Sequence, residues 1–381
     1  MKYLVEHGAN INKEDNEGFT PLFKACFNGH ISIVKYLVGL GAYINKETNY
    51  GNTPLFDACY NGHIHVVKCL VKYGANINKE DNNGWTPLFY ACQEGHISIV
   101  EYLIGLGVNV NKENIVGNTA LFYACEKGNE DIVKYLVENK ADINKESNGG
   151  VTPIFWACIK GHNNIVRYLI EHGAEINKED NNGWTPLFYA CQEGHISIVE
   201  YLVRLGADIN KETIRGNTLL FDACFNGHIP VVKCLVEPGA NINKEDNDGW
   251  TPLFYACQEG HFSIVDYLVR IGSNINKEDR RGFTPLYIAY QKEYTLIVKY
   301  LVDHGAYINK ENIIGNTPLF YVCEKGNEDI VKCLVENNAH INKESNSGAT
   351  PIFCTCINGH ISIAKYLVEH GANIHKEDNN G

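Results

Sequence analysis

The chain has 381 residues, of which 44% are hydrophobic, and a formal net charge of −12 at pH 7. This acidic balance argues against general binding to nucleic acid or to anionic membranes, because both need clustered Lys and Arg. Met1 leads into KYLVEHGAN, which has no charged leader or cleavage site, and no apolar run approaches the roughly 18 residues that span a bilayer. We therefore expect neither a signal peptide nor a membrane span.

The sequence repeats itself every 33 residues without insertion or deletion. A glycine opens each copy, at Gly18, Gly51, Gly84, Gly117, Gly150, Gly183, Gly216, Gly249, Gly282, Gly315, Gly348 and Gly381. A fixed period overrides the two or three domains that the length would suggest, and it predicts an array whose repeats contact only their neighbours. The predicted boundaries are a partial repeat at 1–16, repeats 1 to 11 at 17–49, 50–82, 83–115, 116–148, 149–181, 182–214, 215–247, 248–280, 281–313, 314–346 and 347–379, and the start of another at 380–381.

Each repeat predicts two helices, as repeat 1 illustrates. Thr20 is placed to cap the first helix and Pro21 to open it, where the missing N–H costs nothing. Gly29 should end that helix, since glycine adopts a left-handed conformation at little cost. A second helix is predicted over about 31–40, because its apolar residues share one face. The predicted core of this repeat is Leu22, Ala25, Cys26, Val34 and Leu37.

The repeated motif is G-x-T-P-L-F-x-A-C-x-x-G-H, followed by an apolar run and G-A-x-I-N. It resembles the ankyrin repeat, and the resemblance covers the whole chain. The resemblance implies an all-α ankyrin-repeat solenoid of paired antiparallel helices, joined by connecting fingers that are like β-hairpins. Residues 78–103 and 177–202 are identical, so the residues that they share are not independent indications of function.

Departures from the motif predict local strain. Lys140 and Asn338 replace the glycine that ends the second helix, and Glu293 replaces the loop glycine of repeat 9. Asn tolerates a positive φ better than Lys does, and Glu293 must either adopt a left-handed turn at a cost or change the loop.

Fourteen cysteines could indicate disulfides or a zinc site, but ten of them occupy one position of the repeat. Equivalent residues on stacked helices lie roughly 8–10 Å apart. That is too far for a disulfide, and it brings no four ligands together around zinc. We interpret these cysteines as small buried apolar residues, which implies a reducing compartment, the cytoplasm or the nucleus.

Histidine and the charged pairs offer little chemistry. Eight of the 15 histidines follow the loop glycine, and a Lys-Glu pair recurs in every connection. We interpret the repeated histidine as a hydrogen-bonding group for the loop backbone, and the Lys-Glu pair as a solvated surface that contributes little. There is no Gly-rich phosphate loop, and no catalytic set stands outside the repeat pattern. We expect no enzymatic activity, no metal and no cofactor.

The resemblance implies that protein partners bind on the concave face, which the fingers and the short first helices form. Exposed aromatic residues are the usual energetic centres of protein interfaces, although a tryptophan beside a finger could instead pack on the preceding finger and support the stack. Gln-Glu pairs make this face acidic, so a basic or mixed peptide surface fits better than an acidic partner. The candidate partner-binding residues are Trp85, Trp184, Trp250, Phe283, Ile115, Val116, Ile214, Ile313, Ile314, Phe27, Tyr60, Ile159 and Phe225.

The sequence therefore predicts a non-catalytic scaffold or adaptor that binds other proteins, and it does not identify the partner. Two alternatives stay open. One is a targeting or regulatory arm of a larger protein whose catalytic domain lies outside this chain. The other is a structural array that assembles through uncapped ends.

Overall fold

The computed structural model describes residues 3, 6–214, 216–312 and 314–376. The chain divides into two compact parts, Met1–Glu193 and Gly194–Gly381, which we call the first and the second part. The boundary between them falls inside repeat 6. The predicted start of another repeat at 380–381, and some residues of the partial repeat at 1–16, lie outside the described residues.

In the first part, the described residues form short first helices (odd numbers) and longer second helices (even numbers). Within this part, the two helices of a repeat contact each other, and equivalent helices of successive repeats contact each other. The helices are α1 (Pro21–Phe27), α2 (Ile31–Gly39), α3 (Pro54–Tyr60), α4 (Ile64–Lys72), α5 (Pro87–Gln93), α6 (Ile97–Gly105), α7 (Ala120–Lys127), α8 (Glu130–Glu138), α9 (Pro153–Lys160), α10 (Asn163–Glu171) and α11 (Pro186–Gln192).

The second part follows the same scheme, with short helices at odd numbers and long helices at even numbers. Equivalent helices of successive repeats are again in contact within it. Its helices are α12 (Ile196–Arg204), α13 (Leu219–Phe225), α14 (Ile229–Val236), α15 (Pro252–Glu259), α16 (Phe262–Arg270), α17 (Pro285–Gln291), α18 (Thr295–Asp303), α19 (Pro318–Lys325), α20 (Glu328–Glu336), α21 (Pro351–Ile357) and α22 (Ile361–Glu369).

The short helices begin where the sequence predicts, but the predicted capping bond is wrong. Thr20 has an extended backbone before Pro21, and its hydroxyl makes no cap hydrogen bond. Only at α17, among the described helices, does the threonine act as predicted, since the Thr284 hydroxyl accepts from the Tyr287 N–H at 3.3 Å. Elsewhere the extended threonine backbone and the fixed φ of the following residue, usually proline, set the direction of the helix.

The core of each part lies between the two layers of helices. All five predicted core residues of repeat 1 are buried, from Leu22 on α1 to Leu37 on α2. The structure adds a residue that the prediction left out, because Phe23 is fully buried as well. Its equivalents are among the largest fully buried side chains, at Phe56, Phe89, Phe122, Phe155, Phe188, Phe221, Phe254 and Phe320.

Asparagine and histidine side chains tie each repeat to the next. The Asn45 amide donates to the Gly74 carbonyl at 2.9 Å and accepts from the Asn76 N–H at 2.8 Å. The His63 ring donates from Nε2 to the Phe27 carbonyl at 3.0 Å, at the end of the preceding short helix. The interpretation of this histidine as a backbone-bonding residue is therefore confirmed.

The Lys-Glu pairs are partly exposed, as predicted, but most of these lysines bond the glutamate of the preceding repeat, a partner that the prediction did not include. An example is Lys79 Nζ to Glu47 Oε1 at 2.9 Å. Glu80 in turn pairs with Lys112 at 2.9 Å. The side chains are partly exposed, so each pair contributes at most about 1 kcal/mol, but together they form a ladder across successive repeats within each part.

The cysteines at the shared position are buried, as predicted, with one exception. Cys59 and its equivalents are fully covered, and burial raises the pKa of the thiol. Cys356 in repeat 11 is exposed. All fourteen cysteines are free.

Among the described residues, three other than glycine have a positive φ, and all three stand where the sequence departs from a glycine of the motif. Lys140 and Asn338 have φ of 67°, and Glu293 has φ of 61°. The left-handed conformation costs roughly 1–2 kcal/mol for a residue with a Cβ atom, and less for asparagine.

We expect Glu293→Gly to stabilise the chain by about 1 kcal/mol, because glycine adopts this conformation without a steric penalty. The midpoint of urea unfolding of the full chain measures the gain. Asn338→Gly is the matched control and should give a smaller gain, since asparagine already tolerates a positive φ. A lower midpoint for Glu293→Gly than for the parent chain would contradict the prediction.

Candidate functional site

The fingers between repeats are built from turns, and among the described residues they contain one isolated antiparallel bridge, Glu212 to Thr218. At the finger between repeats 2 and 3 a buried aspartate, Asp81, organises the turn. Asp81 Oδ1 accepts from the N–H groups of Asn83 and Trp85, both at 2.8 Å. Asp81 Oδ2 accepts from the Tyr90 hydroxyl at 2.9 Å. The finger is thus fastened to α5, and the residue after the opening glycine lies against this helix.

Trp85 is half-buried in an aromatic cluster. Its ring centroid lies 5.6 Å from that of Phe89, 5.0 Å from that of Tyr90 and 4.3 Å from that of Tyr123 in the next repeat. These ring contacts are with residues of the short helices of repeats 3 and 4. The tryptophan therefore supports the stack, and its exposed edge borders the surface of the short helices.

The other three residues after an opening glycine have similar surroundings. Trp184 lies 5.4 Å from Phe188, and Trp250 lies 5.3 Å from Phe254, both measured between ring centroids. Phe283 stacks on Tyr287 at 3.9 Å. All are half-buried.

The predicted residues at the finger tips are strongly exposed. Ile115 is 63% exposed, Ile214 76% and Ile314 55%, and Val116 is exposed as well. Neighbouring fingers are joined through the backbone, because the Ile115 N–H donates to the Asn83 carbonyl at 3.1 Å. The predicted Ile313 lies outside the described residues.

The predicted residues of the short helices lie near the ends of those helices. Phe27, Tyr60 and Phe225 are the last residues of α1, α3 and α13, and all three are exposed. Ile159 on α9 is half-buried. The Tyr60 ring lies 6.1 Å from Tyr90, so one predicted helix residue and Trp85 flank the same tyrosine.

Sequence analysis missed a row of residues at the variable position of L-F-x-A-C. Several repeats carry tyrosine there, such as Tyr90 and Tyr255, whose hydroxyls bond finger aspartates. Repeats 2 and 7 carry Asp57 and Asp222 instead. Burial raises the pKa of each carboxyl to about 7, and Lys24 opposes part of this effect at Asp57. The signal was available, since these are the only acidic residues at that position of the eleven repeats.

Other kinds of site find no support in the part of the chain that the structure describes. No group of three His, Cys, Asp or Glu side chains is arranged there to hold a metal ion. No helix combines the length and the apolar character that crossing a membrane requires.

Comparison with family models decides the classification. Models described as ankyrin repeats match residues 43–114, 79–147, 106–180, 141–213, 178–246, 220–312 and 308–378, and a related model described as ankyrin repeats in many copies matches residues 1–38. The chain belongs to the ankyrin repeat family. Comparison with curated proteins gives no match.

The predicted fold class is confirmed, since the ankyrin repeats and their helix pairs make an all-α ankyrin solenoid. Ankyrin repeats are a protein–protein interaction module, and the module is typically non-catalytic.

Proposed function

We propose that this ankyrin array is a non-catalytic scaffold or adaptor that binds protein partners through its fingers and short helices. The observation that carries the proposal is the exposure of large apolar side chains at the finger tips, such as Ile115, Ile214 and Ile314. Apolar side chains that a partner buries contribute most of the binding free energy in protein interfaces. The exposed edges of Trp85 and Trp250 extend this surface towards the short helices.

We assign no reaction to the array. The repeated histidine and the finger aspartate are the groups that could do chemistry, and both are engaged by the backbone, as His63 and Asp81 illustrate. The net charge of −12 favours a protein over a nucleic acid as partner. The free state of all fourteen cysteines supports the assignment to the cytoplasm or the nucleus.

The test compares two fourfold variants in affinity capture. In the tip variant, Ile115, Val116, Ile214 and Ile314 are changed to Ser. The control variant changes four similarly exposed apolar residues at the ends of long helices to Ser, namely Leu40, Leu106, Leu205 and Ile271. We expect the tip variant to lose about tenfold or more of the captured partner, and the control to keep it. Equal capture by both variants would exclude the finger tips as the binding surface.

A further inference from the structure

Two carboxylates interrupt the aromatic row on the short helices. Asp57 on α3 and Asp222 on α13 are both half-buried, and neither side chain has a hydrogen bond or an ion pair among the described residues. The Oδ2 atom of Asp222 is fully buried without a partner. A carboxylate that is buried without a partner costs free energy, and a cation that reaches it recovers this cost.

Aromatic residues neighbour the first of these carboxylates, one on its own helix and one in the next repeat. Tyr60 follows Asp57 by three residues, so both lie on the same face of α3. Tyr90 occupies the position equivalent to Asp57 one repeat later, and its ring lies 6.1 Å from Tyr60 and 5.0 Å from Trp85. We call Asp57, Tyr60, Trp85 and Tyr90 site 1. The rings are held in place, because the Tyr90 hydroxyl donates to the Asp81 carboxylate.

The same arrangement recurs 165 residues later, entirely within the second part. Asp222 is followed by Phe225, and the Phe225 ring lies 6.3 Å from that of Tyr255. Trp250 lies 5.4 Å from Tyr255. We call Asp222, Phe225, Trp250 and Tyr255 site 2. Each site combines one carboxylate with three aromatic residues.

We propose that site 1 and site 2 each bind a basic side chain of a protein partner, arginine in preference to lysine. The inference rests on the proposed protein-binding function, and it specifies the chemistry of the partner. The carboxylate supplies the opposite charge, and the faces of the neighbouring rings attract a cation as well. The net charge of −12 favours a basic partner over an acidic one.

Arginine fits these sites better than lysine for two reasons. Its planar guanidinium stacks on aromatic rings, and it loses less hydration than an ammonium group when it is partly buried. The nearby lysine of the chain itself, Lys24, does not occupy site 1. Lys24 lies on the preceding short helix, but its Nζ atom pairs with Asp15 at 3.8 Å and lies 4.2 Å from the ring centre of Phe19.

N-acetylarginine amide, titrated into the isotopically labelled full chain at pH 8, tests the proposal. We expect saturable shifts of backbone amide signals in two places, α3 with α5 and α13 with α15. Asp57→Asn should weaken binding at site 1 about tenfold and leave site 2 unchanged, and Asp222→Asn should do the reverse. Each variant thus serves as the control for the other.

Two further ligands sharpen the result. N-acetylcitrulline amide has nearly the same shape without the charge, and we expect it to cause no saturable shifts. N-acetyllysine amide, with its free side-chain amine, should bind more weakly than the arginine compound. Equal shifts with the citrulline compound, or an unchanged site 1 response in Asp57→Asn, would overturn the proposal. Equal affinity for the lysine compound would overturn the preference for arginine.

The capture experiment separates this inference from the proposed function. The double variant Asp57→Asn, Asp222→Asn should capture about tenfold less partner than the parent chain. If it captures the partner fully while the tip variant does not, the arginine sites are wrong and the protein-binding surface stands. If the tip variant captures as much partner as the parent chain, the finger tips are not the binding surface. This conclusion holds whether or not N-acetylarginine amide binds.

Discussion

Replacing Phe155 with alanine is expected to destabilise the first part by about 3–5 kcal/mol. Phe155 is fully buried on α9, and repeats lie on both sides of it within the first part. The loss combines the transfer free energy of the ring with the cavity left between helices that other residues hold apart. Because repeats stabilise one another mainly through their neighbours, the loss of structure should begin in repeat 5, which holds Phe155, and reach the adjacent repeat 4 before repeats 1 to 3.

Phe353→Ala is the matched control, since it makes the same chemical change at the same position of repeat 11. Phe353 is only half-buried, so we expect a cost of about 1–2 kcal/mol. Urea unfolding gives both values, and amide hydrogen exchange shows which repeats lose protection. Equal costs for the two variants would mean that the neighbouring repeats do not determine the stability of this position.

The second large effect is a gain of stability at high pH when Asp57 and Asp222 are both changed to asparagine. The pKa of each carboxyl is about 7 in the folded chain because of burial, against about 3.9 in an unfolded chain. Between these values the folded state holds protons that the unfolded state has released. The stability that these groups give the parent chain is therefore complete below about pH 4, and it is lost as the pH rises through 7.

Asparagine cannot ionise, so the double variant escapes this loss. We expect it to exceed the parent chain by about 1–3 kcal/mol per site at pH 8 and to match it near pH 4. At Asp57 the neighbouring charged and titratable groups are Lys24, Cys26 and Tyr90, of which Lys24 reduces the effect. Unfolding midpoints across pH 4 to 8 measure the difference.

A charge-matched control removes two exposed carboxylates instead. Asp131→Asn with Asp329→Asn changes the first turns of α8 and α20. Negative charge is favourable at a helix N-terminus, so this control should lose about 0.3–1 kcal/mol per site. If both double variants were more stable than the parent chain at pH 8, the cause would be the change in net charge and not the burial of Asp57 and Asp222.

Most of the fold could be predicted from the sequence because the glycines that end the helices recur at a fixed period. Glycine every 33 residues fixes where helices stop, and even the strained positions Lys140, Glu293 and Asn338 follow from that pattern. The contribution of Phe23 to the core was missed, since an aromatic residue beside leucine on a seven-residue helix could face either way.

The site was harder to predict, for physical reasons. The exposure of Ile115 and Ile214 follows from their place at a turn. The environment of Asp57 does not, because its neighbours include Lys24 of the preceding repeat and Tyr90 of the next one. The Lys-Glu ladder was missed in the same way, since Lys79 finds its partner 32 residues earlier and not beside it.

The Lys-Glu ladder and the asparagine hydrogen bonds between repeats bear on how the number of repeats can change during evolution. Each joins residues about one period apart, such as Asn45 with Gly74 or Lys79 with Glu47. Recombination that gains or loses a whole block of 33 codons therefore leaves every remaining junction with the same chemistry, whereas any other length would disrupt the junction at which it falls. The identity of residues 78–103 and 177–202 is the trace that such exchange leaves. The gene can thus lengthen or shorten its product in whole steps without a new folding problem at each step.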